Sequence, residues 1–346
     1  MPASIRAIAT HFPEAVLDNA QLAARFPDWT PEKIEQKTGI AFRRVAAEGE
    51  TSSDLACQAA ARLFASGICR PEEIGYLILV SQSPDHFMPT SACILQHRLG
   101  LPTSAGAVDV NQGCSGWIYG LGLAKAIIES GQAARVLLLT AETFSKFMHP
   151  EDKGSLTIFG DGAAATLVEA AGDSPGNIVG QMVYGTDGSG ADNLIIRNGA
   201  FRNRGLAGTA PGTDKFGNLC SADHFYMNGP EVFNFTLRTV PSAVNAVLAA
   251  HALELDQVDI VVFHQANKYM LDHLRQKLRI PSERFLLAMR DHGNITSSTI
   301  PNALLIAEQE GRIRRGARVL ALGFGVGYSW GGTVLNWEAG LSLPKS

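Results

Sequence analysis

The chain has 346 residues, 46% of them apolar, and 29 Lys+Arg against 33 Asp+Glu leave a net charge of -4. That length can bury a sizeable core as one large domain or two fused ones, and an acidic balance without a basic run excludes the usual nucleic-acid binders. No stretch approaches the ~18 consecutive apolar residues of a membrane span.

The N-terminus, MPASIRAIATHFPEAVLD, has no basic segment followed by an apolar one. No signal peptide is read there, and a cytoplasmic location is expected. The cysteines are Cys57, Cys69, Cys93, Cys114 and Cys220, odd in number and without a C-x-x-C pair. Neither a disulfide framework nor a metal site is expected from them.

In chain order, PEEIGYLILVSQSP (71–84) reads as a buried strand with polar flanks. VDVNQGCSGWIYGLGLAKAIIESG follows from Val108 as strand, polar turn and helix, the helix spanning Ser115 to Ser130. GQAARVLLLTAET (131–143) and GDGAAATLVEA (160–170) are further strands. The same series then recurs as LDQVDIVVFHQAN (255–267), a strand–turn–helix unit at 284–311, RRGARVLALGFGV (314–326) and SWGGTVLNWEA (329–339). Continuous Leu/Val/Ile runs predict strands buried on both faces by helices. Alternating βα units predict largely parallel sheets. The pattern repeat suggests two similar α/β halves, 1–172 and 173–346. Residues 186–226, rich in Gly, Asn and Asp, form an irregular excursion with a short strand expected at Asn193–Arg197. It reads equally as a binding loop or as a surface insertion.

Three residues stand at ends of predicted strands, where ligands bind in α/β sheets. Cys114 lies between Gly113 and Gly116 at the start of a helix. First-turn N–H groups and the helix dipole there are expected to favour the thiolate and lower its pKa. His264 ends the strand DIVVFH, and Asn294 sits in a Gly-Asn turn before a Ser/Thr cluster. Taken singly, the last two also read as a structural histidine and a plain turn residue. Together they suit thioester chemistry. A thiolate takes the acyl group. A carbon nucleophile made by decarboxylating a malonyl thioester then leaves an enolate, to which neutral His264 and the Asn294 amide can donate. The segment GFGVGYSWGG (323–332) lacks the G-x-G-x-x-G spacing of a dinucleotide site. It is read instead as a turn presenting N–H groups to an oxyanion.

The stretches DVNQGCSGWIYGL, FGDGAAATLV, MNGPEVFNF (227–235), FHQANKYML, GNITSSTIPNAL and GFGVGYSWGG, in that order, resemble the β-ketoacyl-[acyl-carrier-protein] synthase III family of the thiolase-fold superfamily. The resemblance runs from about residue 37 to the end. It implies a five-layered αβαβα fold, with Cys114, His264 and Asn294 catalytic and an oxyanion hole from the backbone N–H groups of Cys114 and Val326. It implies a homodimer in which Met88, ahead of the helix PTSACILQHRLG (89–100), closes the partner's acyl pocket. Phe159, Met227, Phe233 and Asn267 fall at substrate-binding positions. No resident cofactor is implied; thioesters of coenzyme A or acyl carrier protein are the substrates, and the carrier protein is a partner. Three departures stand out. Lys33 replaces the tryptophan before TGI, Lys37 and Lys153 replace arginines, and Lys268 precedes Tyr269 where a carrier-facing arginine is expected. A lysine neither forks nor stacks as an arginine does. These departures suggest a specialised synthase with an altered acyl donor, bound either to a carrier protein or to coenzyme A. Other readings are transfer of the Cys-bound acyl group to an alcohol or amine, a hydroxymethylglutaryl-type synthase using Glu142, and a non-catalytic homologue. A biosynthetic thiolase is disfavoured because no cysteine follows Cys220.

Overall fold

The computed structural model describes residues 1–172, 176–204, 208, 210–214 and 219–341. The strands are β1 (Ala3–His11), β2 (Ala15–Asp18), β3 (Phe42–Val45), β4 (Tyr76–Val80), β5 (Gly106–Val110), β6 (Arg135–Glu142), β7 (Gly162–Ala170) and β8 (Asn177–Val179). They continue with β9 (Val183–Thr186), β10 (Leu194–Ile195), β11 (Gly212–Thr213), β12 (Leu219–Cys220), β13 (Tyr226–Met227), β14 (Ile260–Phe263), β15 (Ala317–Gly325) and β16 (Ser329–Trp337). The helices are α1 (Asn19–Arg25), α2 (Pro31–Thr38), α3 (Ser52–Ala65), α4 (Ser91–Arg98), α5 (Gly116–Glu129), α6 (Lys153–Leu156), α7 (Gly229–Ala250), α8 (Lys268–Lys277) and α9 (Thr299–Gln309).

Among the described residues the main strands run in the order β14-β15-β16-β8-β1-β7-β6-β4-β5, with β9 beside β16. Parallel pairing is confined to the two ends, at β4 with β5 and β6 and at β14 with β15. The inner joints are antiparallel. The expectation of largely parallel sheets is corrected to a mixed sheet. The reason is local: β15 turns straight back into β16 through Val326–Tyr328, and a hairpin makes antiparallel neighbours where only a helical crossover makes parallel ones. The strand order mirrors itself. Beyond β4 lies β5, and beyond β14 a parallel bridge joins Val261 to Phe285.

Side chains alternate across each strand and both faces are dry. Leu77, Leu79, Leu137 and Leu139 pack on α3 through Leu55, Ala59 and Leu63. Their neighbours Ile78, Val80, Val136 and Leu138 face the other way, onto Trp117, Ile118 and Leu121 of α5. In the second wing Val262, Val319 and Ala321 join that same central cluster with Leu304 of α9. Val261, Phe263, Leu320 and Leu322 face Val244 of α7 and Leu271 of α8. The layers are therefore helix, sheet, the central pair α5 and α9, sheet, helix. Truncating one of these leucines to alanine costs roughly 2–5 kcal/mol. Because α5 touches strands of both wings, a residue at its N-terminus stands where the wings meet.

The excursion is tied to the core by backbone hydrogen bonds. Asp187 and Tyr328 exchange N–H···O bonds of 2.9 and 2.8 Å, and Phe225 N–H donates to Phe147 O at 2.8 Å. The expected strand at Asn193–Arg197 is shorter, Leu194–Ile195, and pairs with Tyr226–Met227. Residues 205–207, 209 and 215–218 of the excursion lie outside the described residues.

Candidate active site

Two glycine-rich turns from opposite wings converge on Cys114. A Cβ on Gly325 would lie 2.6 Å from Cys114 Cβ and 2.9 Å from its Sγ, and one on Gly323 would lie 2.8 Å from Ser115 Cα. Only glycine permits that approach. The hydroxyls of Ser115 and Ser329 meet at 2.7 Å, and Ser329 Oγ also donates to Val326 O at 2.8 Å, so the turns hold each other. Ser115 caps α5, which places Cys114 just ahead of the helix. The backbone N–H groups of Val326 and of Cys114 both act on the sulfur in the sense that favours thiolate.

His264 N–H donates to Leu322 O at 2.9 Å, continuing the ladder of β14 beyond its end. Its ring Nδ1 lies 2.7 Å from Thr299 Oγ1, and that hydroxyl donates its only proton to Thr296 O at 2.9 Å. The hydroxyl must therefore accept from Nδ1–H, which assigns the lone pair to Nε2. Asn294 is fixed by its backbone, its N–H on Ile158 O at 2.9 Å and its carbonyl accepting from Gly160 N–H at 3.1 Å. Its Oδ1 accepts from Thr296 N–H at 3.0 Å. Thr296 has φ 46, left-handed for a β-branched residue, and these bonds on either side hold it there. Among the described residues the Asn294 Nδ2–H₂ has no partner, although the residue is only 3% exposed.

Burial sets the charge state of the site. Cys114 is half-buried, and desolvation pushes its thiol up to about 12, against the opposing N–H groups of Val326 and Cys114. The expected lowering is not found, because loss of water outweighs the helix terminus. Desolvation likewise lowers His264 to about 3. Glu142, fully buried, rises to about 8, chiefly by desolvation. Its Oε1 accepts from Gln82 N–H at 2.9 Å and its Oε2 from Ser83 Oγ–H at 2.7 Å, which commits both oxygens to the turn after β4. At neutral pH the thiol, the imidazole and the carboxyl are all uncharged or close to it.

The remaining expected residues fall into separate places. Met227, Phe233 and Asn267 line one cavity of about 340 Å³ with Ile158 and Tyr269. Asn267 also caps α8, its side chain accepting from Met270 N–H at 2.9 Å. Phe159 lies behind Asn294, joined to it by a backbone bridge. Met88 is 78% exposed beside Phe87 at 75%, away from that cavity. Lys268 pairs with Asp272 and lines a second, open cavity with Glu35 and Arg290. Lys37 and Lys153 meet at a residue the sequence reading missed. Their ammonium groups lie 5.2 and 5.3 Å from the Trp29 ring centre, and Lys33 lies at 5.6 Å. Lys33 and Lys37 lie four residues apart on one face of α2, and Trp29 stands just ahead of that helix, which was the available signal for two of the three lysines. None of these lysines enters an ion pair among the described residues. Also missed was Thr299, the partner of His264. Among the described residues no cluster of His, Cys, Asp and Glu could hold a metal, and no helix is long and apolar enough to cross a membrane.

Residues 108–188 match the family 3-oxoacyl-[acyl-carrier-protein] synthase III, and residues 248–337 match its C-terminal region. The beta-ketoacyl-[acyl-carrier-protein] synthase III of Nitratidesulfovibrio vulgaris is 35% identical over 338 residues, 97% of this chain and 99% of that protein. A solved 3-oxoacyl-(acyl-carrier-protein) synthase III is 50% identical with a TM-score of 0.94, covering 97% of this chain and 100% of that one. The priming β-ketosynthase of the R1128 polyketide pathway is 27% identical with a TM-score of 0.84, covering 97% of this chain and 96% of that one. The layered architecture and these likenesses define a thiolase-fold condensing enzyme. The chain belongs to the beta-ketoacyl-[acyl-carrier-protein] synthase III family.

Proposed function

We propose that the chain is a ketosynthase that joins an acyl thioester to a malonyl-type thioester through an acyl group held on Cys114. The carrying observation is the division of labour between Thr299 and Asn294. In a Cys-His hydrolase a third group orients the histidine. Here Thr299 does that, and the Asn294 amide is left for a substrate oxygen. In the first half-reaction His264 Nε2 takes the Cys114 proton and the sulfur attacks the thioester carbonyl. The N–H groups of Cys114 and Val326 receive the oxyanion. The C–S bond to the donor breaks, and the proton passes to the departing thiolate. In the second, the malonyl carboxylate leaves as CO₂, and Asn294 Nδ2–H stabilises the enolate oxygen. The enolate carbon attacks the acyl group and the bond to Cys114 breaks. Reprotonating the Cys114 thiolate through His264 consumes one proton per cycle.

Trp29 ringed by Lys33, Lys37 and Lys153 supports a donor that carries phosphate, either coenzyme A or the phosphopantetheine of an acyl carrier protein. Both are substrates, and no resident cofactor is invoked. Lys268 offers a further cation toward a carrier protein. Residues 1–172 and 173–346 act as two halves, the first bringing Cys114 and the second His264 and Asn294. Exposed Phe87 and Met88, and β5 at the end of the strand order among the described residues, support a homodimer in which Met88 reaches the partner's acyl cavity. Assembly of fatty acids or related acyl chains in the cytoplasm is the setting that fits. The test measures CO₂ release from malonyl-carrier protein with an acyl donor present. The intact protein is expected to form a β-ketoacyl product in step with CO₂, and Cys114→Ala to form neither product nor acyl adduct. Acyl transfer to an alcohol or amine without CO₂ release would overturn the reading.

A further inference from the structure

Ser115 stands at the start of α5, where a serine ordinarily turns its oxygen onto a first-turn N–H. Its side chain makes no such bond. The hydroxyl is directed to the opposite wing instead, 2.7 Å from Ser329 Oγ. Ser115 is fully buried and Ser329 only 3% exposed, so bulk water does not compete for the bond. Each hydroxyl has one proton to give. The nearest pure acceptor is Val326 O, 2.8 Å from Ser329 Oγ. Gln112 Oε1 stands farther off, 3.3 Å from Ser329 Oγ and 3.5 Å from Ser115 Oγ. Ser329 therefore donates to Val326 O and accepts from Ser115.

These two hydrogen bonds in series span the site. They run from the residue after Cys114 to the carbonyl of Val326. Cys114 and Val326 are the two residues whose backbone N–H groups act on the sulfur. They come from opposite wings, so neither wing alone sets the distance between those groups. The turn joining β15 to β16 is fixed at both ends: Gly325 pairs with Ser329 in the ladder, and Tyr328 exchanges backbone bonds with Asp187. Its middle depends on a side chain. Among the described residues Ser329 Oγ is the one donor to Val326 O. The turn cannot settle inward, because the backbone at Gly325 already abuts Cys114. Slack at Val326 would carry its N–H away from the sulfur.

We infer that Ser329 is a positioning residue: its hydroxyl, itself held by Ser115, fixes the Val326 N–H where it can receive the oxyanion formed as Cys114 is acylated. The inference rests on the acyl-enzyme reading above and adds to it a hydroxyl pair that exchanges no proton with the substrate. Ser329 acts through Val326 on a charge that develops only in the transition state. It should therefore govern the rate of acylation and leave binding of the donor alone.

Rapid-quench intact mass of the full-length protein tests it, with straight-chain acyl groups from acetyl to dodecanoyl on coenzyme A and on carrier protein. The donor that labels the unaltered protein fastest is used for every variant, and Cys114→Ala corrects for the other cysteines. Ser329→Ala should lower the maximal acylation rate about 10- to 100-fold, less than the full cost of deleting an oxyanion donor, because a misplaced donor still acts in part. The donor concentration giving half that rate should stay within about twofold. Ser329→Thr keeps the hydroxyl and should recover most of the loss. Ser115→Ala leaves Ser329 on Val326 O and removes no helix cap, so it should cost less, about 3- to 10-fold. It also carries the test if Ser329→Ala does not fold, and full-rate acylation by it would then overturn the inference. A folded Ser329→Ala that acylates at full rate, or whose loss lies wholly in the half-saturating concentration, overturns the inference and leaves the acyl-enzyme reading standing. A threonine variant as slow as the alanine one does the same. No adduct from any donor removes the acyl-enzyme reading and this inference with it.

Discussion

The centre of the site and its rim treat charge in opposite ways. At the centre, burial holds Cys114 up at about 12 and His264 down at about 3, so the thiol and the imidazole both rest neutral. At the rim, three lysines surround one tryptophan with no carboxylate paired to them among the described residues. The centre is dry and packed between two sheets, where an unpaired charge is costly. The rim lies in water, where cations cost little and can wait for a ligand. On the proposed reading, charge is brought to this site by its substrates. A donor's phosphate would meet the three lysines, while the malonyl carboxylate would approach a thiol and an imidazole that are both neutral.

The largest effect expected from breaking this contrast is at the centre. Asn294→Ala removes a donor that has no partner among the described residues and should lower condensation by about 10²–10³-fold, the usual cost of deleting one oxyanion donor. The acyl adduct on Cys114, read by intact mass, should still form at full stoichiometry. Loss of the adduct together with condensation would mean that Asn294 supports the nucleophile and does not act on the enolate.

Much of the centre was legible in the chain, because each candidate residue sits within a short, recognisable run of neighbours. Cys114 between two glycines and Asn294 before TSST are local patterns, and their strands are local runs. The charge state was not legible. The helix start beside Cys114 is encoded nearby, but the burial that overrides it depends on contacts such as the close approach of Gly325, more than 200 positions away in the chain. Trp29 was hidden for the same reason, since Lys153 reaches it from another part of the chain. So was the mixed sheet: apolar runs show that strands are buried on both faces but do not give the direction of their neighbours. The excursion has weak periodicity, and only the hydrogen bonds of Asp187 and Phe225 reveal that it is anchored.

A second measurement sharpens the neutral-pair side of the comparison. Alkylation by iodoacetamide requires thiolate. With the Cys114 thiol near 12, the thiolate fraction at any pH well below that value rises ~10-fold per unit of pH. The rate at Cys114, corrected against Cys114→Ala, should climb without a plateau from pH 7 to pH 10. It should lie below that of a free thiol near neutrality. A thiolate–imidazolium pair would behave oppositely, with a rapid and flat rate through pH 7–8. That profile would show that His264 had taken the proton in the resting protein, contrary to the desolvation that holds the ring neutral.

The smallest expected effects belong to the rim, and they differ in kind. Lys33 and Lys37 are exposed and Lys153 is half-buried, so each contributes weakly, and replacing one by glutamine should raise KM for a coenzyme A donor only about 2- to 5-fold. Exposed charges are screened with a Debye length of ~8–10 Å near physiological salt. Replacing all three should therefore flatten the dependence of kcat/KM on ionic strength as well as raise KM, while kcat stays within about twofold. Trp29→Ala provides the complementary control. It removes the surface shared by the lysines and leaves their charges, so it should raise KM while the salt dependence persists. If instead the triple replacement lowers kcat and leaves KM unchanged, the lysines act on the organisation of the centre. The separation between a charged rim and an uncharged centre would then fail at its outer edge.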